Sequence, residues 1–587
     1  MVRFSKNIWF QIIAFAGLYL IATFFIEDNY FRFIFSTVPI WAVMGISWNI
    51  FSGYTGLVSF GHAAFFGVGA YLVVILALTF DISPWIGIPL GGLAGVVAGA
   101  LIGYPTFRLK GVYFALAMLA YPLTLLYLFE WLGYQEPTIP MKTGNEAFWH
   151  MQFEDSYHNI VFSVTLLCFS IWVSNKIKTS RFGLSLNAIK QNEAAAEAAG
   201  IDSAKWKLRA IMVSGGLAAL AGGFYAVLVL VVTPNSVFGM LTSSQAMIVT
   251  LFGGVSTVWG PVIGSLVLIP TSELIQATVG DKILGIHGVL LGVAIILMML
   301  FAPEGILTKI KSLIFPSGNN FSKPGVIEIP SIDESTSNRN FTDEVMLDVQ
   351  EISRSFGGLQ AVASVSFQVN RGEVLGIIGP NGAGKTTLFN LLNGFIQAET
   401  GQIMFAGKNL VGMRPNQVCR LGVGRTFQVA RSFSRLTVLE NITIGAFVKD
   451  ENDEIARENA LVALSRVGML GYADTFAGSL NSLELRLMEL ARVLAGRPDL
   501  LLMDETLAGL GTDEVEVMLT IIDQLAKKGQ TIVIIEHTMQ AMVRLVDRFL
   551  VLNHGAVLAM GVPEAVMKDP LVIEAYLGKR WMNNAAH

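Results

Sequence analysis

Gly379-Pro-Asn-Gly-Ala-Gly384-Lys385-Thr386-Thr387 is the stretch that decides the fold of the second half of this chain. It follows the strand-like apolar run Glu373–Ile378 and precedes a helix predicted to begin near Lys385. In that context the G-x-x-x-x-G-K-[ST] spacing predicts a phosphate-binding loop. The glycines let backbone N–H groups turn towards phosphate oxygens, and the helix N-terminus adds partial positive charge.

Each polar residue of this loop has an expected task. Lys385 is expected to reach the β- and γ-phosphates of ATP, and Thr386 to bind Mg²⁺. The residues predicted to contact the nucleotide here are Gly379, Asn381, Gly382, Gly384, Lys385, Thr386 and Thr387.

A second motif, Leu500-Leu-Leu-Met-Asp504-Glu505, ends an apolar run with two acids. A buried strand would deliver both carboxylates to the edge of a sheet. We expect Asp504 to hold Mg²⁺, directly or through water, and Glu505 to orient and polarise the attacking water. Many buried strands end in acids, so the motif is informative because it follows a phosphate-binding loop.

The composition divides the chain into two halves. Of 587 residues, 14% are charged, against about 25% in a soluble domain, and the net charge is −4. Residues 1–315 carry 16 basic and 14 acidic side chains, and residues 316–587 carry 24 and 30. The first half is therefore membrane-like and the second ordinary and soluble. The near-zero net charge, without a long basic run, argues against nucleic-acid binding. The two cysteines, Cys168 and Cys419, offer no disulfide framework.

Nine apolar stretches approach the length of a membrane span. They are Ile8–Ile26, Ile34–Phe51, Gly61–Phe80, Trp85–Gly103, Val112–Leu132, Ile160–Val173, Ala210–Val232, Ala246–Ile269 and Ile283–Phe301. The first is too long for a signal-peptide core and is interpreted as a retained span that starts in the cytoplasm. An odd number would put the ATPase half on the wrong side, so eight or ten spans are expected. The segment Gly253–Gly264 is the expected place for an extra break or a re-entrant piece.

The loop charges and a polar segment give the orientation and the domains. The loop 175–209 is rich in Lys and Arg and is expected in the cytoplasm, whereas the acidic loop 130–155 is expected outside. The polar stretch 316–343 predicts a flexible linker. The expected fold is a polytopic α-helical membrane domain of 8–10 spans (1–315), followed by a cytoplasmic α/β P-loop ATPase domain (344–587).

Over Met346–Lys579 the sequence resembles the ATP-binding domain of ABC transporters. The resemblance implies that Gln428, in Gly424-Arg-Thr-Phe-Gln428, senses Mg²⁺ and the membrane domain. It also implies that His537 is the γ-phosphate switch and that Phe356 stacks on adenine.

The resemblance fails at the signature segment. The usual Leu-Ser-Gly-Gly-Gln reads Leu480-Asn481-Ser482-Leu483-Glu484. In the family this segment grips the γ-phosphate bound to the opposite subunit. Leu483 is bulkier than glycine and Glu484 adds a like charge, although Asn481 can still donate a hydrogen bond. The hypothesis is an asymmetric pair of sites, in which the site that uses this signature is slow or only binds ATP.

The first half resembles the permease subunit of bacterial branched-chain amino-acid importers. The similar stretches are Gly53–Tyr71, Arg108–Ala115, Phe252–Pro261 and Leu300–Gly305. An Ala/Glu-rich helix in the basic loop, with Glu193, Glu197 and a terminal Gly200, resembles the coupling helix that docks on the ATPase. His62 and Glu273 are ionisable residues within or beside apolar runs, and structural roles are expected for both.

Together these resemblances imply one permease half and one ATPase half of a bacterial inner-membrane importer. The expected partners are a second permease subunit, a second ATP-binding subunit, an extracytoplasmic binding protein and membrane lipid. A homodimer is the runner-up, because it would carry two altered signatures. Branched-chain amino acids are the first substrate choice; urea, short amides and small carboxylates are the alternatives. An ABC exporter, and a nucleotide-gated regulator or channel that does not pump, are the other classes considered.

Overall fold

The computed structural model describes residues 8–109, 111–153, 155–279, 286–301, 305–307, 309, 342–536 and 538–577. These residues form two units. The chain leaves the first unit after Lys190, contributes Gln191–Asp202 to the second, and returns to the first at Ser203. Nearly all of the predicted linker, residues 316–341, lies outside the described residues.

The first unit is built from helices. Their bounds are α1 Ile8–Phe24, α2 Asn29–Trp48, α3 His62–Phe80, α4 Pro84–Thr106, α5 Val112–Trp131, α6 Asn145–Trp149, α7 Tyr157–Lys178, α8 Arg181–Gln191, α10 Ser203–Val229, α11 Pro234–Phe238, α12 Met240–Gly253, α13 Gly260–Val279 and α14 Ile286–Phe301. Helix α2 begins where the Asp28 side chain accepts the backbone N–H of Tyr30 (2.7 Å), and it runs on into a π-helical turn at Asn49–Gly53.

Eight helical segments of the described chain are long and apolar enough to cross a membrane. They are Asn29–Gly53, His62–Phe80, Pro84–Thr106, Val112–Trp131, Tyr157–Lys178, Ser203–Val229, Pro234–Gly253 and Gly260–Thr278. The apolar helices α1 and α14 are shorter, with 17 and 16 described residues. The prediction of eight to ten spans is confirmed.

The apolar stretch Ala246–Ile269 does not form one continuous span, because the chain breaks between α12 and α13. The break falls inside the segment Gly253–Gly264, where an interruption was expected. Gly254 has φ +132°, a region that L side chains rarely adopt. A Cβ on Gly253 would collide with the carbonyl oxygen of Gly260, so the chain turns back on itself too closely for a continuous helix.

Helices α3, α4 and α10 approach one another through small residues. A Cβ on Gly95 of α4 would meet the carbonyl oxygen of Gly215, and one on Gly69 of α3 would meet that of Ala219. Such contacts let helix backbones pack closely in a membrane. His62 is fully buried, with its ring nitrogens 3.0 Å from Ser59 Oγ and 2.8 Å from Ser214 Oγ, which supports a structural role.

The second unit is an α/β domain. Its strands are β1 Val345–Phe356, β2 Leu359–Asn370, β3 Val374–Ile378, β4 Thr400–Phe405, β5 Lys408–Asn409, β6 Val423–Arg425, β7 Leu500–Asp504, β8 Thr531–Ile535, β9 Arg548–Asn553 and β10 Ala556–Gly561. Its helices are α9 Glu193–Ala198, α15 Lys385–Leu392, α16 Pro415–Leu421, α17 Val438–Ala446, α18 Asp453–Arg466, α19 Ser482–Ala495, α20 Thr512–Lys527, α21 Met539–Leu545, α22 Pro563–Val566 and α23 Pro570–Leu577.

Two sheets organise this domain. One is a four-stranded antiparallel sheet, β2-β1-β4-β5, and the other has six strands in the order β10-β9-β3-β8-β7-β6. Strands β9, β3, β8, β7 and β6 of the second sheet are parallel, and β10 is antiparallel to β9. The short runs β3, β7 and β8 are fully buried, which is typical of parallel strands covered on both faces.

Candidate functional site

The strand order brings the predicted catalytic residues to one edge of the six-stranded sheet. The phosphate-binding loop follows β3, Asp504 ends β7, and Gln428 follows β6. Because these strands are parallel, their carboxyl ends share an edge, where ligands bind in open α/β sheets. His537 lies outside the described residues, two positions after the end of β8.

The phosphate-binding loop is shaped by its glycines. Gly379 has φ +153° and Gly384 φ +98°, and a Cβ on Gly384 would collide with the carbonyl oxygen of Ala361. Helix α15 begins at Lys385, whose Nζ donates to the carbonyl oxygens of Gly379 (2.6 Å) and Pro380 (3.0 Å). Burial lowers the pKa of Lys385, and the carboxylates Glu505 and Asp504 oppose that effect. The ammonium thus lies within the loop that it is expected to serve.

Two cavities flank this loop. One, of about 330 Å³, is lined by Thr386, Gln428 and Asp504 among others. The other, of about 530 Å³, is lined by Asn381 and Gly382 together with side chains of β9, β10 and α23. The three residues predicted to hold Mg²⁺ therefore face one space.

The carboxylates have distinct surroundings. Gln428 Nε2 donates to Glu505 Oε2 at 2.6 Å, and Glu505 has φ +46°, a left-handed conformation that non-glycine residues rarely adopt. Asp504 is 2% exposed, and its Oδ1 is buried without a hydrogen-bond partner among the described residues. An orphaned carboxylate oxygen of a residue that lines the same cavity as Thr386 fits a hard divalent cation.

Phe356 and the altered signature lie elsewhere on the domain surface. Phe356 ends β1, is 45% exposed, and has the Arg354 guanidinium 5.1 Å from its ring centre. Asn481 caps helix α19: its side chain accepts the backbone N–H of Glu484 (2.9 Å), and the Glu484 carboxylate accepts that of Asn481 (2.8 Å). Ser482 is exposed, whereas Leu483 and Glu484 are buried. The expectation that Glu484 adds charge beside phosphate is therefore at odds with its buried position.

The predicted coupling segment packs against the ATPase domain in its own unit. Asn192 caps α9 by accepting the backbone N–H of Ala195 (2.9 Å), so the segment is two short helices rather than one. Glu193 is exposed and Glu197 half-buried, while the alanines between and after them face a groove beside Cys419 and Phe427. Gly200 has φ +81°, and its carbonyl oxygen accepts from Arg420 Nη2 (3.2 Å).

Family models match three parts of the chain. Residues 30–301 match the permease component of the branched-chain amino acid transport system, residues 362–508 match the ABC transporter model, and residues 556–581 match the branched-chain amino acid ATP-binding cassette transporter.

Individual relatives match the ATPase half. The high-affinity branched-chain amino acid transport ATP-binding protein LivG of Salmonella typhimurium is 36% identical, over 40% of this chain and 98% of its own length. LivG of Escherichia coli K12 is 37% identical, with the same coverage. The chain belongs to the branched-chain amino acid ABC transporter family. A solved nucleotide-free ATP-binding cassette from an ABC transporter is 31% identical over 40% of this chain and all of its own, with a TM-score of 0.37.

In this branched-chain amino acid ABC transporter, a permease and an ATP-binding ABC ATPase are thus joined in one membrane protein. The sequence analysis missed Arg425, the residue three before Gln428. The residue is 4% exposed, and its guanidinium donates to Asp504 Oδ2 (3.0 Å) and Asn390 Oδ1 (2.7 Å). The rings of Phe389, Phe395 and Phe427 surround it at 5.2–5.8 Å. The available signal was a single basic residue in the otherwise uncharged stretch Leu421–Val429.

The transporter also ties the Gln428 loop to helix α19 by charged side chains that sequence reasoning missed. Arg486 Nη1 donates to the carbonyl oxygen of Phe427 (2.7 Å), and Arg492 Nη1 to that of Arg431 (2.8 Å). The Glu489 carboxylate accepts the backbone N–H groups of Phe427 (3.3 Å) and Arg431 (3.2 Å). The three-residue spacing of these charges on a largely apolar helix face was the signal. The signature helix and the Gln428 loop therefore form one connected piece.

Proposed function

We propose that this chain supplies one permease half and one ATPase half of an ATP-driven importer in the bacterial inner membrane. Its cargo is a branched-chain amino acid, or a similar small polar solute, delivered by an extracytoplasmic binding protein. In this proposal residues 1–315 form the permease, 316–343 a tether and 344–587 the cytoplasmic ATPase. A second permease subunit and a second ATP-binding subunit complete the complex.

The packing of Gln191–Asp202 carries this proposal. Along the chain this segment connects two helices of the permease half, yet it folds as part of the ATPase unit. Gln191 Oε1 accepts the backbone N–H of Arg435 (2.9 Å), and Gly200 accepts from Arg420. A short helix seated in a groove can pass on a rigid-body rotation. Glu193, Glu197 and Gly200 thus belong to the element that would link hydrolysis to the permease.

The nucleotide site supports ATP hydrolysis by this chain's own residues. Lys385 and the loop N–H groups bind the phosphates, and Phe356 stacks on adenine. Gln428 holds the Glu505 carboxylate, which orients water for attack on the γ-phosphate and accepts its proton. The proposal gives His537 the role of γ-phosphate switch. Thr386, Gln428 and Asp504 would hold Mg²⁺, which neutralises phosphate charge when it is bound.

The partner subunits follow from the signature. ABC ATPases are expected to sandwich ATP between two subunits, so each site needs a signature from the opposite chain. The buried Leu483 and Glu484 leave Asn481 and Ser482 as the exposed part of this chain's signature. A partner with an intact signature would complete the site formed by this chain's P-loop, which favours a heteromeric complex over a homodimer.

Uptake of labelled leucine in cells that lack this gene tests the proposal. The cells are complemented with wild type, Glu505→Gln, or the control Glu458→Gln, which changes an exposed acid of α18. We expect wild type and the control to restore uptake and Glu505→Gln to lose about 100-fold or more, because a positioned general base contributes that much.

Competition with valine, urea, acetamide and propionate identifies the cargo class. Uptake that survives in Glu505→Gln would contradict ATP-driven import and favour a nucleotide-gated channel. Restored uptake of urea or a carboxylate in place of leucine would overturn only the choice of substrate.

A further inference from the structure

Two interruptions of membrane helices meet inside the first unit. One is the π-helical turn Asn49–Gly53 at the end of α2, and the other is the turn between α12 and α13. Asn49 Nδ2 donates to the carbonyl oxygen of Thr257 (2.8 Å), and Asn49 Oδ1 accepts the backbone N–H of Ser256 (2.8 Å). Ser256 has φ +60°. The two interruptions are therefore locked together by one buried amide side chain.

Lys190 joins this pair of turns from helix α8. Its Nζ donates to the carbonyl oxygen of Gly53 (2.8 Å) and to Ser256 Oγ (3.0 Å), and Ser256 Oγ itself donates to the Gly53 carbonyl (2.7 Å). The Lys190 side chain passes over Gly56, where a Cβ would lie 3.0 Å from Lys190 Cγ. Carbonyls at a helix end lack intrahelical partners, and charge-assisted bonds to them are stronger than neutral ones.

The position of Lys190 in the chain places these hydrogen bonds directly before the segment that enters the ATPase unit. Lys190 is the last residue before the chain enters the ATPase unit, and Gln191 is the first residue of that segment. Gln191 Oε1 accepts the backbone N–H of Arg435 in the ATPase domain. Lys190 and Gln191 are consecutive residues, so their Cα atoms are only about 3.8 Å apart. The side chain that binds the two turns is therefore next to the side chain that binds the ATPase domain.

We infer that Lys190 is a positioning residue that couples movement of Gln191–Asp202 to the paired turns at Asn49–Gly53 and Ser256. A displacement of the coupling segment pulls on the Lys190 ammonium, which releases or reorients the Gly53 carbonyl and the Ser256 hydroxyl. The inference rests on the proposed role of this segment in linking ATP hydrolysis to import.

A purely structural tie would behave differently. If Lys190 only stabilised the two turns, its loss would lower folding, ATP hydrolysis and uptake together. A coupling role instead lowers the solute imported per ATP hydrolysed while hydrolysis continues. The ratio of uptake to hydrolysis therefore separates the two.

The test compares four single variants of the full chain, expressed with its partner subunits and binding protein. Lys190→Met removes the ammonium, Lys190→Arg keeps a cation, and Ser256→Ala removes the second acceptor. Lys176→Met is the matched control, because it removes an exposed lysine near the end of α7. Labelled leucine uptake is measured in cells, and ATP hydrolysis on the purified complex in lipid nanodiscs.

For Lys190→Met we expect uptake per ATP to fall about tenfold or more, the scale of a lost charge-assisted bond, with hydrolysis within about twofold of wild type. Ser256→Ala should show the same effect at about two- to fivefold, since a neutral bond is weaker. Lys190→Arg should restore most of the ratio, and Lys176→Met should leave it unchanged.

A wild-type ratio in Lys190→Met would overturn the inference, and so would a parallel loss of hydrolysis, uptake and thermal stability. If Lys190→Met does not accumulate in the membrane, an unchanged ratio in Ser256→Ala overturns it instead. A wild-type chain that imports none of the tested solutes would overturn the proposed function, and this inference with it. Import by the wild-type chain, together with a wild-type ratio of uptake to hydrolysis in Lys190→Met, would overturn the inference but leave the proposed function standing.

Discussion

Arg425 compensates the buried charge of Asp504. It is a nearly buried cation within 3.0 Å of Asp504 Oδ2, and removal of one partner of a buried pair leaves the other uncompensated. Arg425→Met should therefore destabilise the chain by about 3–5 kcal/mol. Thermal unfolding of the solubilised full chain measures this, and Asp504→Asn in the same background should recover part of the loss. No recovery would mean that the aromatic packing around Arg425 matters more than its charge.

The same pair predicts a pH dependence. Burial raises the pKa of Asp504, and Arg425 opposes that effect, so the Arg425→Met variant should have a still higher Asp504 pKa. The penalty of the buried carboxylate is present above the folded-state pKa, and it is lost as the folded state takes up a proton on acidification. The stability gap between wild type and Arg425→Met should therefore narrow as the pH is lowered from neutral towards the ordinary range of an aspartate carboxyl. A gap that stays constant over that range would contradict an electrostatic origin.

At the scale of elements, Cys419 reports whether α9 occupies its groove. Cys419 is 9% exposed, and a Cβ on Gly200 would lie 3.6 Å from its Sγ. Burial raises the pKa of Cys419 to about 12, and the thiolate is the reactive form. In a Cys168→Ala background, maleimide labelling at about pH 8 should be about 100-fold or more slower than in the unfolded chain. Labelling that is equally fast in both states would contradict a closed groove.

A variant of the coupling segment should speed this labelling. A Cβ on Gly200 would meet Val448 Cγ2 at 2.7 Å in a backbone conformation that already disfavours L residues. Gly200→Ala should therefore loosen α9 and expose Cys419. Gly358→Ala is the control, because a Cβ there meets nothing within 4 Å. The same labelling rate in both variants would show that Gly200 does not seat the segment.

The contact between α4 and α10 predicts a stability difference between two glycines. A Cβ on Gly95 would collide with backbone of α10, whereas one on Gly17 of α1 meets nothing within 4 Å. Gly95→Ala should therefore cost about 1–3 kcal/mol through overpacking, and Gly17→Ala little. Detergent melting of both variants checks this. Equal melting temperatures would mean that the helices separate enough to admit a methyl group.

Some boundaries of the helices and strands could be predicted from the sequence, and others could not. Apolar runs that end in Gly379 or Asp504 predict strand ends, because parallel strands must be apolar on both faces. The break near Gly254 was foreseeable because glycine marks positions where backbones come close. The Arg486–Glu489–Arg492 ties were only partly foreseeable. Their three-residue spacing places the charges on one helix face, but only tertiary packing decides which of these charges is buried. The cap at Asn192 was missed because alanine-rich sequence favours a continuous helix.

At the scale of the whole molecule, the altered signature predicts unequal ATP sites. In a complex with an intact partner, Glu505→Gln disables the site formed by this chain's P-loop. The matching change in the partner disables the site that uses Asn481 and Ser482. We expect the first change to abolish most single-turnover hydrolysis and the second to have a small effect. Equal rates from both sites would refute the asymmetry.

The insertion of Gln191–Asp202 between helices of a chain that also carries its own ATPase has a consequence for assembly. In the covalent arrangement the segment and its groove meet at an effective concentration on the order of millimolar, whatever the amount of protein in the cell. A weak intrinsic affinity between the segment and the groove is then sufficient for docking. The permease and ATPase domains are also always synthesised in equal number. Substitutions in this groove that would be strong enough to dissociate two separate subunits should therefore leave the segment and the ATPase domain of this fused chain associated. The alanine-lined surface is thus free to be selected for ease of movement rather than for tightness.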